Sequence, residues 1–123
     1  IGFFTEKTES VEFSGSNGFN KMQEIMQKVR SGEETFGATK IKDFENLTET
    51  NIATGEKSKF NMLEGGNAVS FEFMKPENRI TIRPSGTEPK IKIYAQWLFA
   101  KKEDCAKIEE IITDFKRRIL NEC

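Results

Sequence analysis

Eight consecutive residues, Arg83-Pro84-Ser85-Gly86-Thr87-Glu88-Pro89-Lys90, carry two cations, two hydroxyls, a glycine and two prolines. Each proline fixes φ and lacks an amide donor. The N–H groups of Ser85, Gly86 and Thr87 are therefore expected to be free to face a ligand. Glycine opens conformations closed to other residues and lets a ligand approach the backbone, and successive amides in such a turn make an anion-binding concavity. Arg83 adds a planar fork for two phosphate oxygens, and Lys90 adds a point charge. From the residues alone, this is a loop able to hold a phosphate. The plainer alternative is a rigid hairpin whose Ser and Thr only tie the turn together, since such residues collect in turns whatever they do. The string does not match GxxxxGK[ST], so it is not the common nucleotide loop.

The elements around the loop must hold it still. Ile80-Thr81-Ile82 leads in and Ile91-Lys92-Ile93-Tyr94 leads out. Ala68 to Met74 alternates, with Val69, Phe71 and Phe73 against Ser70, Glu72 and Met74. Lys75-Pro76-Glu77-Asn78 then reads as a turn, and residues 79–83 as the returning strand of a hairpin. Lys90 to Trp97 follows as a strand, so the loop joins two neighbouring strands at one end of a sheet, a rigid mounting.

Earlier in the chain, residues 1–7 show no period and read as an interdomain linker, with the domain itself spanning 8–123. Thr8 to Ser14 alternates as a half-buried strand. Phe19, Met22, Ile25, Met26 and Val29 form one apolar stripe of a helix over 19–30, with Ser16 or Asn17 as its cap and Gly32 as its stop. Ala38 to Phe44 is a second strand around Ile41. Residues 45–67 are the least legible, a surface excursion with a short turn of helix or strand. Lys57 and Lys59 lie there and read as solvated surface. The last helix, over 101–121, carries Cys105, Ile108, Ile112, Phe115 and Ile119 on one stripe, with charges at both ends that suit its dipole. The order β-α-β-β-β-β-α specifies an α+β two-layer sandwich, a mostly antiparallel sheet with both helices on one face.

Composition bounds the function. The chain has 123 residues, 36% apolar, with eleven Phe and a formal net charge of −1. That suits one domain with a single core and supplies no overall basic field to draw in nucleic acid. No apolar run is long enough for a membrane-spanning helix, and no signal peptide is visible. The two cysteines, Cys105 and Cys123, read as reduced thiols of a cytoplasmic protein. Without histidine or a close cysteine pair, a zinc site is not expected. The chain begins at Ile1 rather than Met, as expected of a piece of something longer, of a processed N-terminus or of a trimmed tag.

Over its full length, the string from Arg83 to Lys90 resembles the phosphate-binding loop of the α-D-phosphohexomutase family, the phosphoglucomutases and phosphomannomutases. Phe13-Ser14-Gly15-Ser16-Asn17-Gly18, with Lys21 to Met26, is similar to the start of that family's C-terminal domain, and Lys92 and Tyr94 fit the same branch. The likeness covers most of the chain and is weakest in 45–67. It implies a fold like the half-repeat of the TATA-box-binding protein, which says nothing about DNA. It also implies a domain that closes over an active site, with the loop gripping the phosphate of the sugar that is not reacting. Carried over by position, that role falls on Arg83, Ser85, Gly86, Thr87 and Lys90. The family transfers a phosphoryl group between C1 and C6 of a hexose through a phosphoserine, with Mg2+ and a hexose 1,6-bisphosphate. The catalytic serine and the metal carboxylates lie in its other domains. Asp43, Asp104 and Asp114 are isolated here, so this piece alone is expected to be inactive and to bind no metal. Glucose or mannose phosphates are the expected substrates. A phosphopentomutase domain, a stand-alone module for a phosphorylated ligand and a nucleic-acid binder are the alternatives.

Overall fold

A computed structural model describes residues 2–32, 35–59 and 67–120. In chain order the elements are β1 (Phe3–Glu12), α1 (Gly18–Ser31), β2 (Lys40–Asp43), β3 (Thr48–Asn51), β4 (Lys57–Lys59), β5 (Val69–Phe73), β6 (Lys75–Pro84) and β7 (Lys90–Phe99). A 3₁₀ segment (Lys102–Lys107) then leads into α2 (Ile108–Ile119). The strands form one sheet in the order β1-β7-β6-β5-β2-β3-β4, and each neighbouring pair is antiparallel. This is the α+β sandwich the sequence specifies.

Strand alternation places one apolar row after another on the face that meets the helices. Ile93 lies opposite Ile82, and Ile82 opposite Val69. Ala95, Ile80, Phe71 and Ile41 form the adjacent row, and all seven side chains are buried. Met22, Met26 and Val29 of α1 and Ile108, Ile112, Phe115 and Ile119 of α2 complete this core. Each such side chain contributes about 1.5–3 kcal/mol by leaving water. The two helical stripes are those expected, except that Phe19 is exposed. The opposite sheet face is polar and carries ion pairs such as Lys42–Glu72 at 2.9 Å and Lys40–Glu49 at 3.5 Å.

Several expectations are corrected. Phe3 to Lys7, read as linker, form the first half of β1 and pair with residues 95–99 of β7. The hairpin between β5 and β6 turns more tightly than the expected Lys75–Asn78. Phe73 pairs directly with Lys75 across Met74, whose φ is 32°, and a register shift follows. Part of the illegible 45–67 stretch is the hairpin β3–β4, added to the edge of β2. Residues 60–66 of it lie outside the described residues, as does Cys123. Asn17 precedes α1 without a side-chain capping bond, whereas Gly32 ends it in the left-handed region at φ 79°. The last helix begins as 3₁₀ turns that include Cys105, and becomes α-helical only at Ile108.

Asp43 is not the isolated aspartate it reads as. It is buried at the end of β2 and accepts hydrogen bonds from the amides of Glu45 and Asn46, from Asn46 Nδ2 and from Arg30 Nε. Those bonds fix the β2–β3 turn and offset the cost of burying a carboxylate. Among the described residues, no helix is long and apolar enough to cross a membrane.

Candidate functional site

Ser85, Gly86 and Thr87 fall in the β6–β7 connection, with Arg83 near the end of β6 and Lys90 opening β7. Pairing of the two strands runs up to the loop itself, Arg83 opposite Lys92 and Pro84 opposite Ile91. The Ser85 amide then donates to the Lys90 carbonyl at 2.8 Å, and the Lys90 amide to the Glu88 carbonyl at 2.8 Å. Inside the turn, Ser85 Oγ accepts from the amides of Thr87 at 3.3 Å and Glu88 at 3.2 Å.

The expectation of three free amides is therefore corrected. Ser85 and Thr87 spend their N–H groups on the turn, a Ser side chain closing onto its own downstream backbone. Of the three, only Gly86 N–H has no partner among the described residues. Its backbone does not enter the left-handed region, and a Cβ built on it would meet nothing within 4 Å. Neither conformation nor packing within the described residues calls for a glycine here.

The end of β1 and the start of α1 hold the loop from the side. Phe13 N–H donates to the Pro89 carbonyl at 2.8 Å. A Cβ at Gly18 would lie 2.5 Å from the Phe13 carbonyl oxygen and 3.0 Å from Pro89 Cβ. Only a residue without a side chain lets α1 begin so close to both. The sequence likeness includes Gly18, and its local reason is this contact.

Charge is uneven around the loop. On the helix-facing side, the row Val11–Ile91–Pro84 is apolar. The next row, Ser10–Lys92–Arg83, faces the other way, and all three residues are exposed. Arg83 and Lys92 have no ion-pair partner among the described residues. Lys90, on the same face as Lys92, has only a loose pair with Glu12 at 3.9 Å, and Glu12 is itself largely exposed.

On its other side the loop borders a cavity of about 370 Å3 under α1, lined by Phe19, Met22, Gln23, Met26, Arg30, Ser85 and Gly86 among others. Arg30 is committed to Asp43 at 3.3 Å, to Glu45 at 3.0 Å and to Asn67. Asp104 pairs with Lys107, and Asp114 with Arg117 and Arg118, on the helical surface. Among the described residues no three His, Cys, Asp or Glu side chains converge as a metal site, so the Mg2+ that the family likeness implies finds no fitting donor set in them. Lys57 and Lys59 lie on an exposed edge strand, as read.

Residues 49–97, which include the whole loop, match the family model for the phosphoglucomutase/phosphomannomutase C-terminal domain. A phosphoglucomutase of Staphylococcus saprophyticus is 33% identical over an alignment of 127 residues, which covers 98% of this chain and 21% of the relative. One from Staphylococcus epidermidis is 37% identical over 98 residues, 76% of this chain and 17% of the relative. A third, from Staphylococcus aureus, is 27% identical over 108 residues, 87% and 20% respectively. The chain thus spans about a fifth of the length of the curated relatives it matches.

Proposed function

The chain belongs with the C-terminal domains of phosphoglucomutases and phosphomannomutases, and from that premise we propose that its β6–β7 loop binds the phosphate of a hexose phosphate that is not being transferred. One observation carries the reading: within the matched segment, the Arg83 guanidinium and the Gly86 amide have no partner among the described residues, on a turn whose other backbone amides are already spent. A guanidinium fork and a backbone amide suit phosphate oxygens.

In this reading the domain works with the rest of a longer mutase chain, on glucose or mannose 1- and 6-phosphates. Binding energy released at the remote phosphate orients the sugar hydroxyl for in-line attack, because energy far from the reacting atoms can be used that way. Contacts centred on phosphate alone also tolerate the reversal of the sugar that the C1–C6 transfer demands. The serine nucleophile, the Mg2+ and the bisphosphate belong to the other domains, and the share of Arg83, Ser85, Gly86, Thr87 and Lys90 is to hold and orient. The piece alone then has no mutase activity.

In the full-length enzyme, Arg83→Ala should raise KM and lower kcat together, a loss of about tenfold to a hundredfold in kcat/KM for a charge-assisted contact. Steady-state kinetics decide it, and unchanged constants in a folded variant would remove the loop from the substrate site.

A further inference from the structure

We propose that β1 is an interaction edge whose occupant is β1 of a second copy of this chain, paired antiparallel about Thr8 so that two sheets join into one. The pairing does not depend on what the β6–β7 loop binds.

The two edges of the sheet are built differently. β4, at one end, is three residues long, and its Lys57 and Lys59 are both exposed. A short edge with charges of one sign repels further strands. β1, at the other end, runs for ten residues without a proline, and its register with β7 is unbroken from Phe3 to Glu12. Phe13 N–H donates to the Pro89 carbonyl and so continues the same ladder. The odd-numbered residues of β1 therefore turn their backbone groups toward β7. By alternation, the N–H and C=O groups of Phe4, Glu6, Thr8, Ser10 and Glu12 face outward, and no hydrogen bond among the described residues uses them.

The charge pattern selects a second copy as the partner strand. A two-fold axis normal to the sheet keeps the helices of both copies on one side and sets residues of the same face opposite each other. Centred on Lys7, such a pairing would put Lys7 against the partner's Lys7. Centred on Glu6 or Glu9, it would put glutamate against glutamate. Centred on Thr8, it puts Lys7 opposite the partner's Glu9 and Glu9 opposite the partner's Lys7, and no like charges stand directly opposite. Thr8, Glu6 and Ser10 then make the hydrogen-bonded pairs. Lys7 and Glu9 meet at non-hydrogen-bonded pairs, where Cα atoms are about 4.5 Å apart and side chains interact most closely. Lys7 Nζ already contacts Glu109 at 3.1 Å, and an ammonium has donors enough for both. At each end Phe3, 40% exposed, comes opposite the partner's Phe13, which covers it with an aromatic pair.

The test is sedimentation velocity of this chain from micromolar to millimolar concentration, with amide hydrogen exchange at both ends of that range. The parent should pass from monomer to dimer, and the outward amides of Glu6, Thr8 and Ser10 should exchange at least about tenfold slower in the dimer. Lys7 and Glu12 have ion pairs within the chain, whereas Glu9 has none among the described residues. Glu9→Lys should therefore keep the fold and weaken dimerisation about tenfold or more, by setting lysine against the partner's Lys7. Lys7→Glu should weaken it equally, since the exposed pair with Glu109 that it also loses is worth little to the fold. Mixed in equal amounts, the two variants should form a heterodimer, because lysine then faces glutamate at each such position. A parent that stays monomeric at millimolar concentration, or a dimer that ignores both charge reversals, overturns the inference. So does protection of the outward amides in the full-length enzyme alone, where another segment would then be the occupant.

Discussion

Gly86 and Ser85 are neighbours with opposite duties. Ser85 gives its amide to the Lys90 carbonyl and its hydroxyl oxygen to two downstream amides, so it builds the turn. Gly86 gives nothing to the turn, and alanine would fit its backbone angles and the open space beside it. Gly86→Ala should therefore leave stability unchanged or raise it by up to about 1 kcal/mol, because alanine restricts the unfolded chain. Its methyl group would stand where a ligand must come to reach the amide. The expected result is an unfolding midpoint at or above the parent's, with glucose 6-phosphate affinity reduced about tenfold or more. A variant that binds normally would show that the free amide is not a contact. The string from Arg83 to Lys90 marks a candidate loop in the sequence, with two cations, two prolines and a glycine between strand-like runs. Which amides remain free was not legible, since a serine two residues before Thr87 can either bind a ligand or close its own turn.

Gly18 shows how the elements place the loop. The α1 stripe of Met22, Met26 and Val29 fixes which face of the helix is buried, but the approach of its first turn to Pro89 depends on the missing side chain. In Gly18→Ala the new methyl would overlap the Phe13 carbonyl, a backbone atom that cannot swing aside. Overpacking of this kind costs about 1–3 kcal/mol, and here the shift must be absorbed by the start of α1 or by the loop. Urea unfolding should show that loss, and the amide shifts of residues 85–90 should move in the ligand-free protein. Loss of stability with an unmoved loop would mean that α1 and the loop are not coupled through this contact. Periodicity revealed α1, α2 and the central strands because each buries one face. It failed for β1 before Thr8, where Phe3 and Phe4 are adjacent and both largely exposed. It also failed for β3 and β4, which have no buried residue to alternate against.

A net charge of −1 hides a molecule with a local positive end. Lys92, Arg83 and Lys90 meet there only because β6 and β7 pair in one register, and that register is set by the apolar rows on the other face. The mounting of the loop is thus inherited from the core: β6 and β7 carry Ile80, Ile82, Ile91, Ile93 and Ala95, all buried. At the far end of the sheet, β4 is fully exposed and the β3–β4 hairpin joins the rest only through β2. Such an edge opens without the rest. Native-state hydrogen exchange should find β5, β6 and β7 exchanging only through global unfolding, and β3–β4 about 100-fold faster, ~3 kcal/mol lower in opening energy. A phosphate ligand at ten times its Kd should slow the global class about tenfold further. It should leave β3–β4 unchanged, because that hairpin opens while the loop stays closed around its ligand. Equal slowing of both classes would mean that the sheet opens as one unit and that the loop is not carried by its central strands alone.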